Sequence, residues 1–158
     1  MDPFHVVRLG GDALDRCRRR VQQDLHGHRG RTNDTLYRAR RTLHTGDDLL
    51  TDKQTTRLQA LFAVDEHVEV EATWWIYQRM IGAYRHPDKT RGSQLMQAVI
   101  DDLSHAVPTT MTELRRLGRT LKQRAADVLA YFDDPGTSDD RLDTFTARPR
   151  PERVRWVV

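Results

Sequence analysis

From Ala13 to Phe132 the apolar residues return at steps of three and four, the spacing that gathers side chains on one face of a helix. The first such face joins Ala13, Leu14, Cys17, Val21 and Leu25, with Asp12 placed to cap its start and Gly27 to end it. Before it, Gly10-Gly11 interrupts the pattern, and Phe4-His5-Val6-Val7-Arg8-Leu9 reads as the end of a strand or the entry to a helix. A second helix is expected over about 34–43, with Leu36, Tyr37, Ala39 and Leu43 inward and Gly46 closing it. Thr51-Asp52-Lys53-Gln54 has the capping-box pattern, and the helix it opens carries Leu58, Leu61 and Phe62. A longer helix over about 66–84 presents Val68, Ala72, Trp75, Ile76, Met80 and Ala83, and His86-Pro87 stops it. Leu95, Met96, Val99, Ile100 and Leu103 mark a helix over about 89–103. After the break at Pro108, a stripe from Met111 through Leu114, Leu117, Leu121, Ala125, Val128, Leu129 and Phe132 marks one over about 110–132.

The expected fold is mainly α: a bundle of about six helices in residues 1–136. Periodicity then ceases, and 137–158, with Arg148-Pro149-Arg150-Pro151, reads as a disordered tail. A length of 158 residues suits one domain with a modest core. Leu, Val, Phe and Ile supply about 22% of the chain, just above the range where disorder is the default. The single cysteine, Cys17, excludes an internal disulfide or a cysteine-based zinc cluster and suits a reducing cytoplasm. No run is long and apolar enough to span a membrane, and the first residues lack a signal-peptide pattern, so the expected location is cytoplasmic.

Charge supplies the first functional clue. Of 26 cationic residues, 23 are Arg, whose planar fork grips phosphate through two hydrogen bonds. Codon use in a GC-rich genome produces the same bias, so the cations' placement matters more than their number. Residues 11–41 hold nine Arg and four Asp, a local net charge of +5. Arg16, Arg18, Arg19, Arg20, Arg29, Arg31, Arg38, Arg40 and Arg41 are the candidate DNA-binding residues. The four between positions 16 and 20 lie largely off the apolar face; a merely solvated helix face is the competing reading. Other clusters are better explained structurally. His26-x-His28 lacks further ligands for a metal. Of the adjacent Trp74 and Trp75, only one is expected to face the core fully. Asp65, Glu66, Glu69 and Glu71 suit the positive end of a helix, and Cys17 sits on an apolar face.

Several strings carry a resemblance. Asp2-Pro3-Phe4-His5-Val6-Val7-Arg8-Leu9 is followed by Arg18-Arg19-Arg20-Val21-Gln22-Gln23-Asp24 and by His26-Gly27-His28-Arg29-Gly30-Arg31. Leu49-Leu50-Thr51-Asp52-Lys53-Gln54, Arg116-Leu117-Gly118-Arg119-Thr120-Leu121 and Leu129-Ala130-Tyr131-Phe132 complete the set. In order and spacing, over about 2–138, these resemble bacterial insertion-sequence transposases of the ISL-three type, in the DDE class. The resemblance implies part of a ribonuclease-H-like catalytic domain with a helical insertion, an enzyme that cuts and joins DNA at the ends of a mobile element. It also implies Mg²⁺ as cofactor, since in this class three carboxylates hold two divalent ions about 4 Å apart.

By the same resemblance, Asp2 matches the second acid of the triad and is the candidate catalytic and metal-binding residue. The first acid belongs upstream of Met1. The third belongs in a Ser-Asn-Gly-x-Thr-Glu-Ala-type stretch, where Thr137-Ser138 is here followed by Asp139-Asp140-Arg141-Leu142-Asp143. The expectation is a transposase remnant, frameshifted near Ser138, with most of its sheet missing and inactive alone. Without that sheet, the apolar face of the first helix is expected to be exposed. The expected partners are insertion-sequence DNA and an intact transposase copy. The alternative is a basic helical module that binds DNA or a transposase without catalysis.

Overall fold

The computed structural model describes residues 1–133; the expected tail at 137–158 and the place of the third acid lie outside them. Eight α-helices are present among the described residues, and no strand. They are α1 (Pro3–His26), α2 (Thr35–Arg38), α3 (Arg40–Leu43), α4 (Asp52–Phe62), α5 (Val68–Arg85), α6 (Lys89–His105), α7 (Thr112–Gln123) and α8 (Ala125–Leu129). Short 3-10 turns at Asp47–Leu49, Asp65–His67 and Ala130–Asp133 join or extend them.

Four helices close a ring: α1 packs on α5, α5 on α6, α6 on α7, and α7 back on α1. The core runs along this ring through Leu14, Cys17, Ile76, Met80, Met96, Val99, Leu114 and Leu121, all buried. Helices α2 to α4 cover one side, and α8 with the final 3-10 turn packs against α6. The mainly α expectation is therefore met.

Local corrections follow from tertiary contacts. The segment read as the end of a strand or the entry to a helix is the latter, the first two turns of α1. Pro3 stands at the first helical position, where its missing N–H costs nothing, and Asp2 caps the helix by accepting from the Phe4 amide at 3.0 Å. Asp12 is thus an exposed mid-helix residue rather than a cap. Gly10-Gly11 does not break the helix either; it is where α1 crosses its neighbours. A Cβ on Gly10 would lie 2.9 Å from the Met80 sulfur, and one on Gly11 would lie 3.2 Å from His44 Nδ1. Gly27 does end the helix as expected, at φ 71°, a left-handed conformation that suits glycine.

The apolar face that joins Ala13 to Leu25 is not left open, because α5 and α7 cover it; of its five residues only Leu25, at the far end, is exposed, at 39%, while Phe4 in the first turn of α1 stands out to solvent. The expected helix over 34–43 is two single turns separated at Ala39. The expected helix over 110–132 turns at Arg124 (φ −111°, ψ 22°), which brings Val128 and Phe132 back onto α6. The capping box is present: the Gln54 amide donates to Thr51 Oγ1 at 3.3 Å, and the Thr51 amide donates to Gln54 Oε1 at 3.0 Å.

Both tryptophans are buried, against the expectation of one. Helix α5 lies among α1, α4 and α6 and hides nearly every side. Trp74 packs on Phe62, with ring centroids 5.3 Å apart, and Trp75 lies beneath Arg79.

Candidate nucleic-acid surface

The outer stripe of α1 carries His5, Arg8, Asp12, Arg16, Arg19 and Gln23, all exposed. They fall at steps of three and four, opposite the buried face. Near the end of the helix, Arg16, Arg19, Arg20, Gln23 and Arg29 line a concavity of about 370 Å³. Gly27 makes it by reversing the chain, so that the loop sets Arg29 beside α1. Arg31, Arg38 and Arg41 extend the exposed basic surface along the following segment. No ion pair holds Arg16, Arg29, Arg31, Arg38 or Arg41 among the described residues.

Other candidates are spent inside the fold. Arg18 is 3% exposed and donates to Asp15 Oδ1 through Nε at 3.2 Å and Nη2 at 2.9 Å, so it is a packing residue rather than a surface cation. Arg20 sits at the wall of the concavity, but its fork is committed. Nε donates to Glu113 Oε1 at 2.8 Å, and Nη2 donates to Glu113 Oε2 at 3.1 Å and Glu69 Oε2 at 2.6 Å. Burial raises the Glu113 carboxyl and the Arg20 hydrogen bonds lower it, with the net direction downward. The same bonds hold Arg20 still more firmly charged. Arg19 pairs with Asp15 yet stays 55% exposed. Arg40 lies over the Tyr37 ring at 4.1 Å and donates to the Tyr37 carbonyl oxygen at 2.9 Å, which rigidifies the surface more than it offers a free fork.

Asp2 is exposed at the mouth of α1, pinned near α8 by the Met1 amine donating to the Asp127 carbonyl oxygen at 2.9 Å. Among the described residues no three His, Cys, Asp or Glu side chains gather as a metal site. A hard divalent ion prefers several oxygen ligands, so Asp2 with its capping role does not make a Mg²⁺ site from these residues. His26 and His28 stack on each other, and His28 Nδ1 accepts from the Gly30 amide at 3.3 Å and lies 3.5 Å from Asp34 Oδ2. Of the acidic group, Glu69 serves Arg20 rather than only the helix dipole. Cys17 is fully buried, and burial pushes its thiol up to about 12, which makes it inert.

A second set of cations was not singled out from the sequence. Arg115, Arg116, Arg119, Lys122 and Arg124 are all exposed on and just after α7. Their signal was legible in the spacing: Arg115, Arg119 and Lys122 stand at i, i+4 and i+7, one flank of a helix.

These features define a mainly helical unit with an arginine-rich surface and Asp2 as the cap of its first helix. Comparison with protein families gives it a place: the model of the ISL3 group of DDE transposases, described as Transposase, matches residues 1–141. The chain belongs to that transposase family. No curated protein and no solved structure matches it. No helix among the described residues is long and apolar enough to cross a membrane.

Proposed function

We propose that this chain binds insertion-sequence DNA through its basic surface and does not cut it alone. Its contact surface is Arg16, Arg19, Arg29, Arg31, Arg38 and Arg41. The observation that carries the reading is the concavity at Arg16, Arg19 and Arg29, joined to membership of a transposase family. Arg19 shares Asp15, but the other five meet no carboxylate among the described residues, and such cations gain most from phosphate, because each contact releases condensed counterions from the duplex. In this reading the unit is a helical part of a DDE catalytic domain, residues 1–136, and Asp2 is one acid of a metal-binding triad completed elsewhere. When bound to such a triad, divalent metal supplies activation of the attacking oxygen and stabilisation of the leaving one. Asp2 alone supplies a helix cap and one oxygen ligand, too few for that chemistry.

One experiment addresses both halves. The chain is incubated with labelled element-end duplex and Mg²⁺ or Mn²⁺, then resolved on native and denaturing gels across a salt series. The expected result is a shift that weakens steeply with salt, and no cleaved strand. Metal-dependent cleavage abolished by Asp2→Ala would overturn the non-catalytic reading. Absence of any shift at low salt would overturn the binding reading.

A further inference from the structure

The end of α6 and the flank of α7 form a groove of about 330 Å³, lined by Ser104, His105, Arg115, Gly118, Arg119 and Lys122. We propose that this groove is a phosphate-binding site, separate from the α1 concavity, and that its phosphates are those of a nucleic-acid strand. The proposal takes its ligand from the DNA reading above and its location from this groove alone.

Three observations carry it. First, two of the three cations do not help the helix that bears them, although Lys122, in its last turn, does. Arg115 stands in the first turns of α7, where the positive end of the helix disfavours a cation, and Arg115 and Arg119 are like charges four residues apart. Helix stability therefore does not account for Arg115 and Arg119. Second, the nearby carboxylates are already engaged. Asp102 on α6 accepts from Arg79 Nη1 at 2.7 Å, and Asp101 accepts from Gln97 at 2.8 Å. Glu113, the one acid on α7, is held by Arg20 on the side of α1. No ion pair reaches Arg115, Arg119 or Lys122 among the described residues. Third, the shape suits a strand. Gly118 lets α7 approach so closely that a Cβ there would lie 2.7 Å from the Leu103 carbonyl oxygen. That contact makes the floor of the groove, above which the cations stand. From Arg115 to Lys122 the helix rises about 10 Å, roughly three times the axial rise per phosphate of one duplex strand. Ser104 and His105 face them from the other wall.

The test uses the full chain and a fluorescently labelled duplex of random sequence, with anisotropy read across a NaCl series. The three groove cations are replaced together (Arg115→Ala, Arg119→Ala, Lys122→Ala); all are exposed, so folding is retained. A second variant carries Arg16→Ala, Arg19→Ala and Arg29→Ala. The groove variant is expected to lower the slope of log K against log salt by about 2 to 3, and to weaken binding at moderate salt by tenfold or more, on the order of its lost phosphate contacts. If it keeps the wild-type slope while the α1 variant loses its slope, the groove proposal fails and the DNA reading stands. If wild type binds no duplex at low salt, nucleic acid is ruled out as the source of phosphate. Titration with inorganic pyrophosphate, followed at the Ser104 and Gly118 amide resonances, then decides the groove. Shifts absent from the groove variant keep it as a site for free phosphates, and no shifts in wild type overturn it.

Discussion

Glu113→Gln perturbs an ionic contact that joins three helices of the ring. Arg20 on α1 reaches α7 through two bonds to Glu113 and α5 through one to Glu69. The side chains are 29%, 10% and 25% exposed respectively, so this is a half-buried network rather than a surface pair. A hydrogen bond to a charged group contributes about 1.5–3 kcal/mol. Gln keeps one acceptor and loses the charge and the second bond, and solvent at Arg20 screens part of the loss. The expected cost at neutral pH is about 2 kcal/mol, or about 4–8 °C in Tm for a chain of this size.

The pH dependence follows from the direction of the Glu113 shift. Its carboxyl is lowered below its ordinary value of 4.5 in the folded chain, so the unfolded state takes up protons first as acid is added. The stabilisation is complete above that ordinary value and drains away as pH falls through the lower folded value. Urea unfolding of wild type and Glu113→Gln at pH 7, 5 and 3.5 should show a gap that is full at the first two and narrowed at the last. A gap that is constant across pH would refute the ionic account. So would additivity with Arg20→Met in a double-mutant cycle, since partners in one contact must couple.

Other substitutions test the packing and the caps. Gly118→Ala gains about 1 kcal/mol of helix propensity but drives a Cβ against the Leu103 backbone, which cannot yield as a side-chain tip would. The expected net loss is about 2 kcal/mol by chemical denaturation, and a stabilised variant would show that α6 and α7 are not in backbone contact. Thr51→Ala removes the capping box of α4 and should cost about 1 kcal/mol; an unchanged melt would mean that tertiary packing alone holds α4. Cys17 should resist thiol reagents in the native chain and react fully in denaturant, because burial pushes the thiol up to about 12. Rapid native labelling would contradict its place in the core.

The sequence by itself determined the class of fold and most of the chain's punctuation. Apolar steps of three and four identified the helices, the Thr51-Gln54 pair fixed the start of α4, and Gly27 and His86-Pro87 marked two ends. Such signals are local: a cap or a stripe is written within one or two turns, and so can be read there. The family was legible for a related reason, since strings such as Asp2-Pro3-Phe4-His5 keep their order whatever packs around them.

Tertiary structure decided what any residue was used for. Gly10-Gly11 looks like a break until Met80 and His44 are seen against it, and both tryptophans are buried because helices surround α5. Among the arginines, spacing places Arg18 with Leu14 and Val21 on the buried face, but charge and spacing could not separate Arg16, exposed, from Arg20, held by acids 49 and 93 residues away. Whether a guanidinium meets phosphate or a carboxylate depends on which helix stands opposite it. That is a property of the assembled ring, not of any one segment.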